Sequence, residues 1–529
     1  MCGIFIKTIA SSDEVSQCMK SLSTLKNRGP ESSRYIVDNE NIFIGFTRLP
    51  IIDLEGGEQP FVSGNNVLVA NAEIFNHKTI KSSCNLTLAC TTKSDCECIL
   101  RAYECGMEMT YIASLINGDF AFVLVTKDKI IACRDRVGIR PLFYGFKDGQ
   151  LAISSEVKAF ADGFTVQHVL PSTVMTFDRK NPKSYCVETY YGFSQAYYNR
   201  IPCVQQGVLN NPSTTLKQLL VNSVKLRLES ERPIVCLLSG GLDSSIVALI
   251  LTQLLGAKNV NTYSIGMKGA IDLEYAQKVA TFLGTNHNSV VFRPEEGIKA
   301  IPEVIHALES YDITTVRASI PMYLLGKWIK DTTDAKVIFS GELSDELLCG
   351  YLYFHHAPSD IEAGDESRRL VKNVYKYDAL RADRCISSHG LELRVPFADV
   401  NVINYCMFKL TGEDKRPKMI EKQLLREAFS GELPQEVLWR RKDGFSDGVS
   451  SMEKPWYSYI QEYVETLELS FLNDEVSKEA QYYKYLYMLK YGRLNYSPIS
   501  EHWMPKWGIV DKTNPSGRII NIIEKCENV

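Results

Sequence analysis

The chain has 529 residues, of which 45% are hydrophobic and 23% charged, and its formal net charge is −4. That length is a prior for two or more domains of ordinary globular composition, and the slight acidity without a long basic run excludes a nucleic-acid partner held by phosphate contacts. No apolar run reaches the roughly 18 residues of a membrane span and no signal-type leader opens the chain, so a cytoplasmic protein with no membrane partner is expected. Its 15 cysteines then read as reduced, mostly buried small hydrophobes. The cluster Cys84, Cys90, Cys96, Cys98 and Cys105 has neither paired C-x-x-C spacing nor a nearby ligand histidine, and is not read as a zinc site.

Short apolar stretches alternate with turns over the first part of the chain, at 4–6, 42–46, 67–70, 120–125, 130–133, 142–146 and 151–154. Strands at this density predict two packed sheets, with helices at about 14–25 and 95–106. Cys2 matters because removal of Met1 makes it the N-terminus. Its thiol then lies beside an α-amino group whose ordinary pKa of about 7.7 to 8.0 suits it as a general base, so one residue supplies attack and proton transfer. Taken alone, Cys2 reads rather as an accidental cysteine at a processed end. Four motifs follow in order: Asn27-Arg28-Gly29-Pro30, Thr47-Arg48-Leu49, Asn71-Ala72-Glu73-Ile74-Phe75-Asn76-His77 and Ser94-Asp95-Cys96-Glu97.

With Cys2, these motifs resemble the glutaminase domain of class II glutamine amidotransferases, which have an N-terminal-nucleophile (Ntn) αββα sandwich. The resemblance implies that Cys2 is the nucleophile, that Arg48 pairs with the glutamine α-carboxylate in a bidentate fork, and that Asp95 holds its α-amino group. It implies further that Glu73 contributes to the glutamine pocket, and that Asn71 and the backbone N–H of Ala72 form the oxyanion hole. Ala72 departs from the glycine usual in that family. A left-handed conformation there would cost alanine roughly 1 kcal/mol or more and reduce glutaminase efficiency. Glu31 and Lys93 are departures without a physical account. Two further matches, at 135–142 and 155–159, are expected to shape the interface with a second domain.

Periodicity is lost between about 193 and 212, where Gly192, Pro202, Gly207 and Pro212 collect. The expected division is therefore 1–195 for the first domain, 196–213 for a linker and 214–529 for the second domain. Helical patterns alternate there with apolar strands at 234–238, 261–265, 289–292 and 337–340, which predicts a parallel sheet with helices on both faces. Ligands in such sheets sit beyond the carboxyl ends of the strands, so the loops after Leu238, Ile265 and Phe339 converge on one site.

The loop after Leu238 is Ser239-Gly240-Gly241-Leu242-Asp243-Ser244-Ser245, directly ahead of a long apolar segment. Two glycines allow close backbone approach to an oxyanion, hydroxyls add donors, and the following helix end favours negative charge. It lacks the Gly-Lys-Ser/Thr ending of a P-loop. An Asp inside a phosphate cradle repels its ligand unless a cation bridges them, so Asp243 implies Mg²⁺. The loop after Phe339 is Ser340-Gly341-Glu342-Leu343-Ser344-Asp345-Glu346, otherwise a solvated acidic turn but aimed here at the first loop.

The first loop resembles the pyrophosphate loop of the ATP pyrophosphatases, and the whole chain resembles the glutamine-dependent asparagine synthetases. An α/β multidomain protein follows: the Ntn-type sandwich, then a doubly wound parallel-sheet ATP-pyrophosphatase domain. The resemblance implies that ATP meets Leu238, Ser239, Gly240, Gly241, Asp243, Ser244, Ser245, Ile265, Arg317, Ser340 and Gly341, and that Asp243 and Asp345 hold Mg²⁺. Glu342 would act near the attacking ammonia, either orienting it or taking a proton, and Lys442 in Arg440-Arg441-Lys442 would stabilise charge on the α-phosphate and departing pyrophosphate. Arg381 is a candidate for binding aspartate, whereas Arg394 reads as a structural ion pair. The implied reaction joins glutamine, aspartate and ATP, with ammonia passing through an apolar tunnel, and a homodimer is a family expectation. Two alternatives stay open: amidation or cyclisation of another carboxylate, as in the similar β-lactam synthetases, and a non-catalytic homologue that binds nucleotide or glutamine. The polar stretch 359–369 reads as a flexible loop, Cys349 as packing rather than redox control, and the tail from Asn514 as peripheral.

Overall fold

The computed structural model describes residues 1–39, 41–193, 211–451, 453–469, 475–508 and 511–515. Most of the expected linker, 196–213, therefore lies outside the described residues. The N-terminal part builds two antiparallel six-stranded sheets. In the first, Gly3–Thr8 runs between Ile42–Arg48 and Gln150–Ser154; in the second, Asn66–Ile74 pairs with Gly118–Val125 over eight positions. Alternation explains the layering. Ile4 and Ile6 point between the sheets with Ile44, Val69, Val123 and Ile153, while Phe5 on the other face meets Cys18 and Leu22 of the helix Val15–Ser23. Likewise Ala121 and Val123 face inward, and Phe120, Phe122 and Leu124 face a cluster containing Ile99, Leu100 and Ile112 of the helices Glu97–Glu104 and Met109–Leu115. Period-2 strands between helices thus give the αββα sandwich.

The C-terminal part carries a five-stranded, all-parallel sheet in the order Asn286–Val291, Asn261–Gly266, Ile234–Leu237, Val337–Phe339, Glu392–Arg394. The first strand in sequence lies at the centre, and the chain builds outward on one side before crossing to the other. The crevice between Ile234–Leu237 and Val337–Phe339 is therefore the topological switch point, where open parallel sheets bind ligands. The helix Leu242–Leu255 is apolar on nearly every face because it is buried, from Ile246 to Leu251.

Two expectations of local structure are corrected. Residues 359–369 are not a loop: Ser359 accepts the Glu362 N–H at 3.2 Å and caps the helix Asp360–Asn373, whose Ala363, Ser367, Leu370 and Val371 are buried at helical spacing beneath a charged outer face. The start of the tail is not peripheral either, since Asn514 is buried and accepts from Arg317 Nη1 at 2.7 Å.

The two parts meet through buried polar contacts. Glu309 accepts the N–H groups of Val157 and Lys158 at 2.8 and 2.7 Å, and Asn117 donates to Asp399 at 2.8 Å. Asp135 accepts from four successive N–H groups, Val137 to Arg140, which fixes the loop that sends Arg140 across to the Leu393 carbonyl at 3.1 Å.

Two candidate active sites

Cys2 precedes the central strand of the first sheet. Its backbone N–H donates to Asn71 Oδ1 at 2.9 Å, and its Sγ lies 3.9 Å from the Leu49 carbonyl. The other half of the Asn71 amide, Nδ2, is buried with no hydrogen-bond partner. A buried donor without an acceptor costs free energy, and beside a nucleophile this one is where an oxyanion would need it. Gln59 closes the strand just before it, donating to the Ala70 carbonyl at 3.1 Å and accepting its N–H at 2.7 Å. Ala72 carries no left-handed strain: it is extended, in register with Phe120. The expected backbone penalty at this position is therefore absent. With Met1 in place, the amino terminus is buried 3.8 Å from Glu392 of the second domain. Burial pushes the Cys2 thiol up despite the neighbouring amino terminus, and lowers the terminal amine.

Around Cys2 the expected glutamine residues separate. Arg48 is buried, with Nη1 on Glu58 at 3.0 Å and Nη2 on the Asp53 carbonyl at 2.6 Å. Asp95 accepts the Ile74 N–H at 2.7 Å, and burial raises its carboxyl above the usual range. Glu73 is buried and accepts from Arg394 Nη2 at 3.1 Å, while Arg394 Nε donates to Glu392 at 3.0 Å. Burial and the adjacent Glu392 raise the Glu73 carboxyl well above its ordinary value, Arg394 notwithstanding. Arg394 is the ion pair expected of it.

The second site is a cavity of about 280 Å³ at the switch point, lined by Leu238, Ser239, Gly241, Asp243, Ser244, Ile265, Ser340, Gly341, Glu342, Asp345, Arg381 and Lys442 among others. Two glycines make the crevice possible. Gly240 is left-handed, and a Cβ there would lie 2.4 Å from the Ala276 nitrogen; a Cβ on Gly341 would lie 2.9 Å from the Asp243 backbone. Gly240 and Ser245 build the loop rather than line the cavity, since the Ser245 hydroxyl donates back to the Gly241 carbonyl at 2.7 Å. Arg317 does not face the cavity at all. Glu479 holds it from Oε1 and Oε2 at 2.8 and 2.5 Å in a buried pair, which corrects the expectation that it meets nucleotide phosphate.

The charges lining the cavity are paired with one another. Ser344 donates to Asp243 Oδ1 at 2.7 Å, and Lys442 pairs with Asp345 Oδ2. Burial works to raise the Asp345 carboxyl, but the lysines override it and hold it well below the usual range; Asp345 and Asp243 in turn push Lys442 up against its own burial. Arg381 Nη2 donates to Glu342 at 2.7 Å and to Asp378 at 2.8 Å. Burial raises Glu342, with Arg381 opposing.

Residues 215–370 and 361–490 match the family model described as asparagine synthase, and residues 1–215 match the one described as a glutamine amidotransferase domain. Over 98% of both chains, this chain is 41% identical to the human protein named asparagine synthetase [glutamine-hydrolyzing], and 40% identical to those of Gallus gallus and Mesocricetus auratus. The chain belongs to the asparagine synthase family.

For an asparagine synthase, the most informative residue missed in the sequence is Lys422. Its Nζ lies 2.6 Å from both Asp243 Oδ2 and Asp345 Oδ1, a cation bridging two carboxylates from separate loops. Lys422 is buried and left-handed, and Gly350 makes room for it: a Cβ there would lie 2.0 Å from Lys422 Cε. An isolated lysine in a polar stretch, 179 residues from Asp243, carries no sequence signal. Arg440 was legible only as part of a basic cluster; it pairs with Asp272 at 2.8 Å and donates to the Gly240 carbonyl at 3.4 Å. Cys349 is left-handed and fully buried among Tyr353, Phe354 and Ala363, with its thiol pushed up to about 12 by burial, an environment of packing and not of a reactive thiolate.

Proposed function

We propose that this asparagine synthase converts aspartate to asparagine with the amide nitrogen of glutamine and the energy of ATP. Cys2, freed by removal of Met1, attacks the glutamine amide carbon and expels ammonia; water then releases glutamate from the thioester. In the second site the β-carboxylate of aspartate attacks the α-phosphate of ATP and pyrophosphate leaves. Ammonia attacks the acyl adenylate, loses a proton and displaces AMP. The observation that carries this reading is the Cys2–Asn71 pair, in which one amide oxygen fixes the nucleophile's backbone and the buried Nδ2 waits for an acceptor. Arg48 and Asp95 are assigned to the glutamine carboxylate and amine, Lys442 to the α-phosphate, Glu342 to the ammonia and Arg381 to aspartate. ATP takes the wall from Leu238 to Ser244 with Ile265, Ser340 and Gly341.

Asp243 and Asp345 are proposed to hold Mg²⁺. The Lys422 ammonium between them supports the fit, because the two carboxylates already converge on one cation position. When bound, the ion would neutralise charge on the pyrophosphate. Residues 1–195 and 214–529 are proposed as the glutaminase and synthetase domains. One apolar cluster contains residues of both, Ile51 and Ile116 with Leu238 and Phe339, which supports a dry ammonia route between them. The described cysteines are unpaired, and no described helix is long and apolar enough to cross a membrane; both agree with the proposed cytoplasmic location. The proposed homodimer is checked by sedimentation.

The test is mass spectrometry of products from aspartate, Mg-ATP and glutamine carrying a heavy amide nitrogen. Heavy asparagine with AMP is expected. Asparagine formed only with added ammonium would leave the synthetase and remove the glutaminase, and no asparagine under either condition would sink the proposal.

A further inference from the structure

One buried helix touches both sites. In Asp378–Ser387 every residue from Ala379 to Ser387 is buried. Arg381, near its start, faces the synthetase cavity and holds Glu342 at 2.7 Å. Two residues on, about 200° around the helix, Asp383 faces the glutaminase. There Asp383 Oδ2 accepts from Arg28 Nη1 at 2.8 Å and Oδ1 from Nη2 at 3.3 Å, and Ser387 accepts from the same guanidinium at 3.0 Å. The remaining Arg28 nitrogen, Nε, donates to the carbonyl of Cys2 itself at 2.9 Å. The next residue, Arg384, ties the helix to Glu156 at 2.6 Å on the glutaminase side and to Glu309 at 2.9 Å on its own.

From this juxtaposition we propose that Asp383 is a positioning residue for the glutaminase, and that the helix Asp378–Ser387 reports occupancy of the synthetase cavity to Cys2. The inference rests on the function proposed above. Arg381 Nη2 donates to Glu342 at 2.7 Å, and substrates that engage either side chain change that grip. A helix packed on all sides moves as a body rather than deforming, so the change arrives at Asp383 and, through the rigid fork of Arg28, at the peptide that follows the nucleophile. Small displacements are enough, since a misplacement of about 1 Å at a reacting atom costs on the order of a hundredfold in rate. Arg28 thus serves as a two-ended strut, steadied by Glu156 at 2.9 Å on its own side and by Asp383 from the helix.

The experiment uses the full-length, processed enzyme and the variant Asp383→Asn, which keeps the side chain's size and removes its charge. Three rates are read: ammonia-driven asparagine synthesis, glutamate release from glutamine alone, and glutamate release with aspartate and Mg-ATP present. In the wild type, filling the second site should change glutamate release by about fivefold or more, the range of ordinary site coupling. In Asp383→Asn that ratio should collapse towards one, and glutamate should be produced in excess over asparagine, while ammonia-driven synthesis stays within about twofold of the wild type. Asp383→Glu, which restores the charge, should recover part of the ratio.

An unchanged ratio in Asp383→Asn overturns the proposal. So does a folded variant that loses all three rates in parallel, because a purely structural role would do that, and so does a wild type whose glutamate release ignores aspartate and Mg-ATP. If Asp383→Asn does not fold by circular dichroism, Ser387→Ala removes one partner of Arg28 without burying a charge, and must lower the ratio in the same direction. A wild type that makes no asparagine from ammonia sinks the functional reading itself, an outcome distinct from a failure of coupling.

Discussion

The two sites handle charge in opposite ways. Around Cys2 a donor is left without a partner: Asn71 Nδ2 is buried with no hydrogen bond, and burial raises the Asp95 carboxyl even though it accepts the Ile74 N–H. Across the interface the synthetase cavity saturates itself, with Lys422 between Asp243 and Asp345, Lys442 on Asp345, and Arg381 on Glu342. Neutral acyl transfer suits the first arrangement, because a donor already fixed in a dry place needs no reorganisation when the oxyanion forms. A site for ATP and aspartate must accept several negative charges, and its lysines and arginines are held in place beforehand by carboxylates that later exchange partners. The first site thus keeps one amide donor unpaired beside its nucleophile, and the second pairs its charges internally.

Removing the nucleophile breaks the comparison most severely. Cys2→Ala is expected to lower glutamine-dependent synthesis and glutamate release by about 10⁴-fold or more, as loss of a nucleophile does elsewhere, with ammonia-driven synthesis retained. Parallel rate assays with glutamine and with ammonium chloride check this, and an equal fall in both would mean that the sites are not separate. Asn71→Ala follows. Loss of one oxyanion donor costs about 10² to 10³ in kcat, and the loss should fall on the rate of glutamate release rather than on KM; a change in KM alone would make Asn71 a binding residue.

What was legible in the sequence divides along the same line. Contiguous features could be read: the apolar stretch Ile4 to Ile6, the seven-residue loop from Ser239 to Ser245, and the acidic loop from Ser340 each carry their signal within one stretch. The strand Ser32–Val37 was missed because it is an edge strand with an exposed face, and Glu392–Arg394 because three residues, two of them charged, show no period. The family motif around Arg317 implies a ligand role, but its partner, Glu479, is supplied by tertiary packing from 162 residues away. Lys422 is the converse, a residue whose role exists only once two distant loops converge on it.

The self-paired site is tested by Lys422→Met. Breaking a buried ion pair by removing one partner costs about 3 to 5 kcal/mol, and here it leaves Asp243 and Asp345 facing each other. The variant should melt well below the wild type in EDTA and regain more of its melting temperature on adding Mg²⁺ than the wild type gains. Equal Mg²⁺ shifts in the two proteins would mean that the Lys422 position is not the one the metal takes.

The smallest effect, and the sharpest on the glutaminase side, concerns Asp119, which lies opposite Glu73 in the sheet. Its Oδ2 is buried without a hydrogen bond, and the nearest cation, Arg140, is 4.0 Å away. Burial pushes this carboxyl up from its ordinary 3.8 to about 6, with Arg140 and Arg227 opposing. Because the folded value lies above the unfolded one, the contribution of Asp119 to stability is whole below about pH 4 and is lost as pH rises towards 6. Two pKa units correspond to about 3 kcal/mol. The stability of the wild type relative to Asp119→Asn should therefore fall by about that amount between pH 4 and 7 in urea unfolding and stay level above. A pH-independent difference would mean that the two arginines compensate Asp119 fully, and that the glutaminase side of the interface is as well paired as the synthetase cavity.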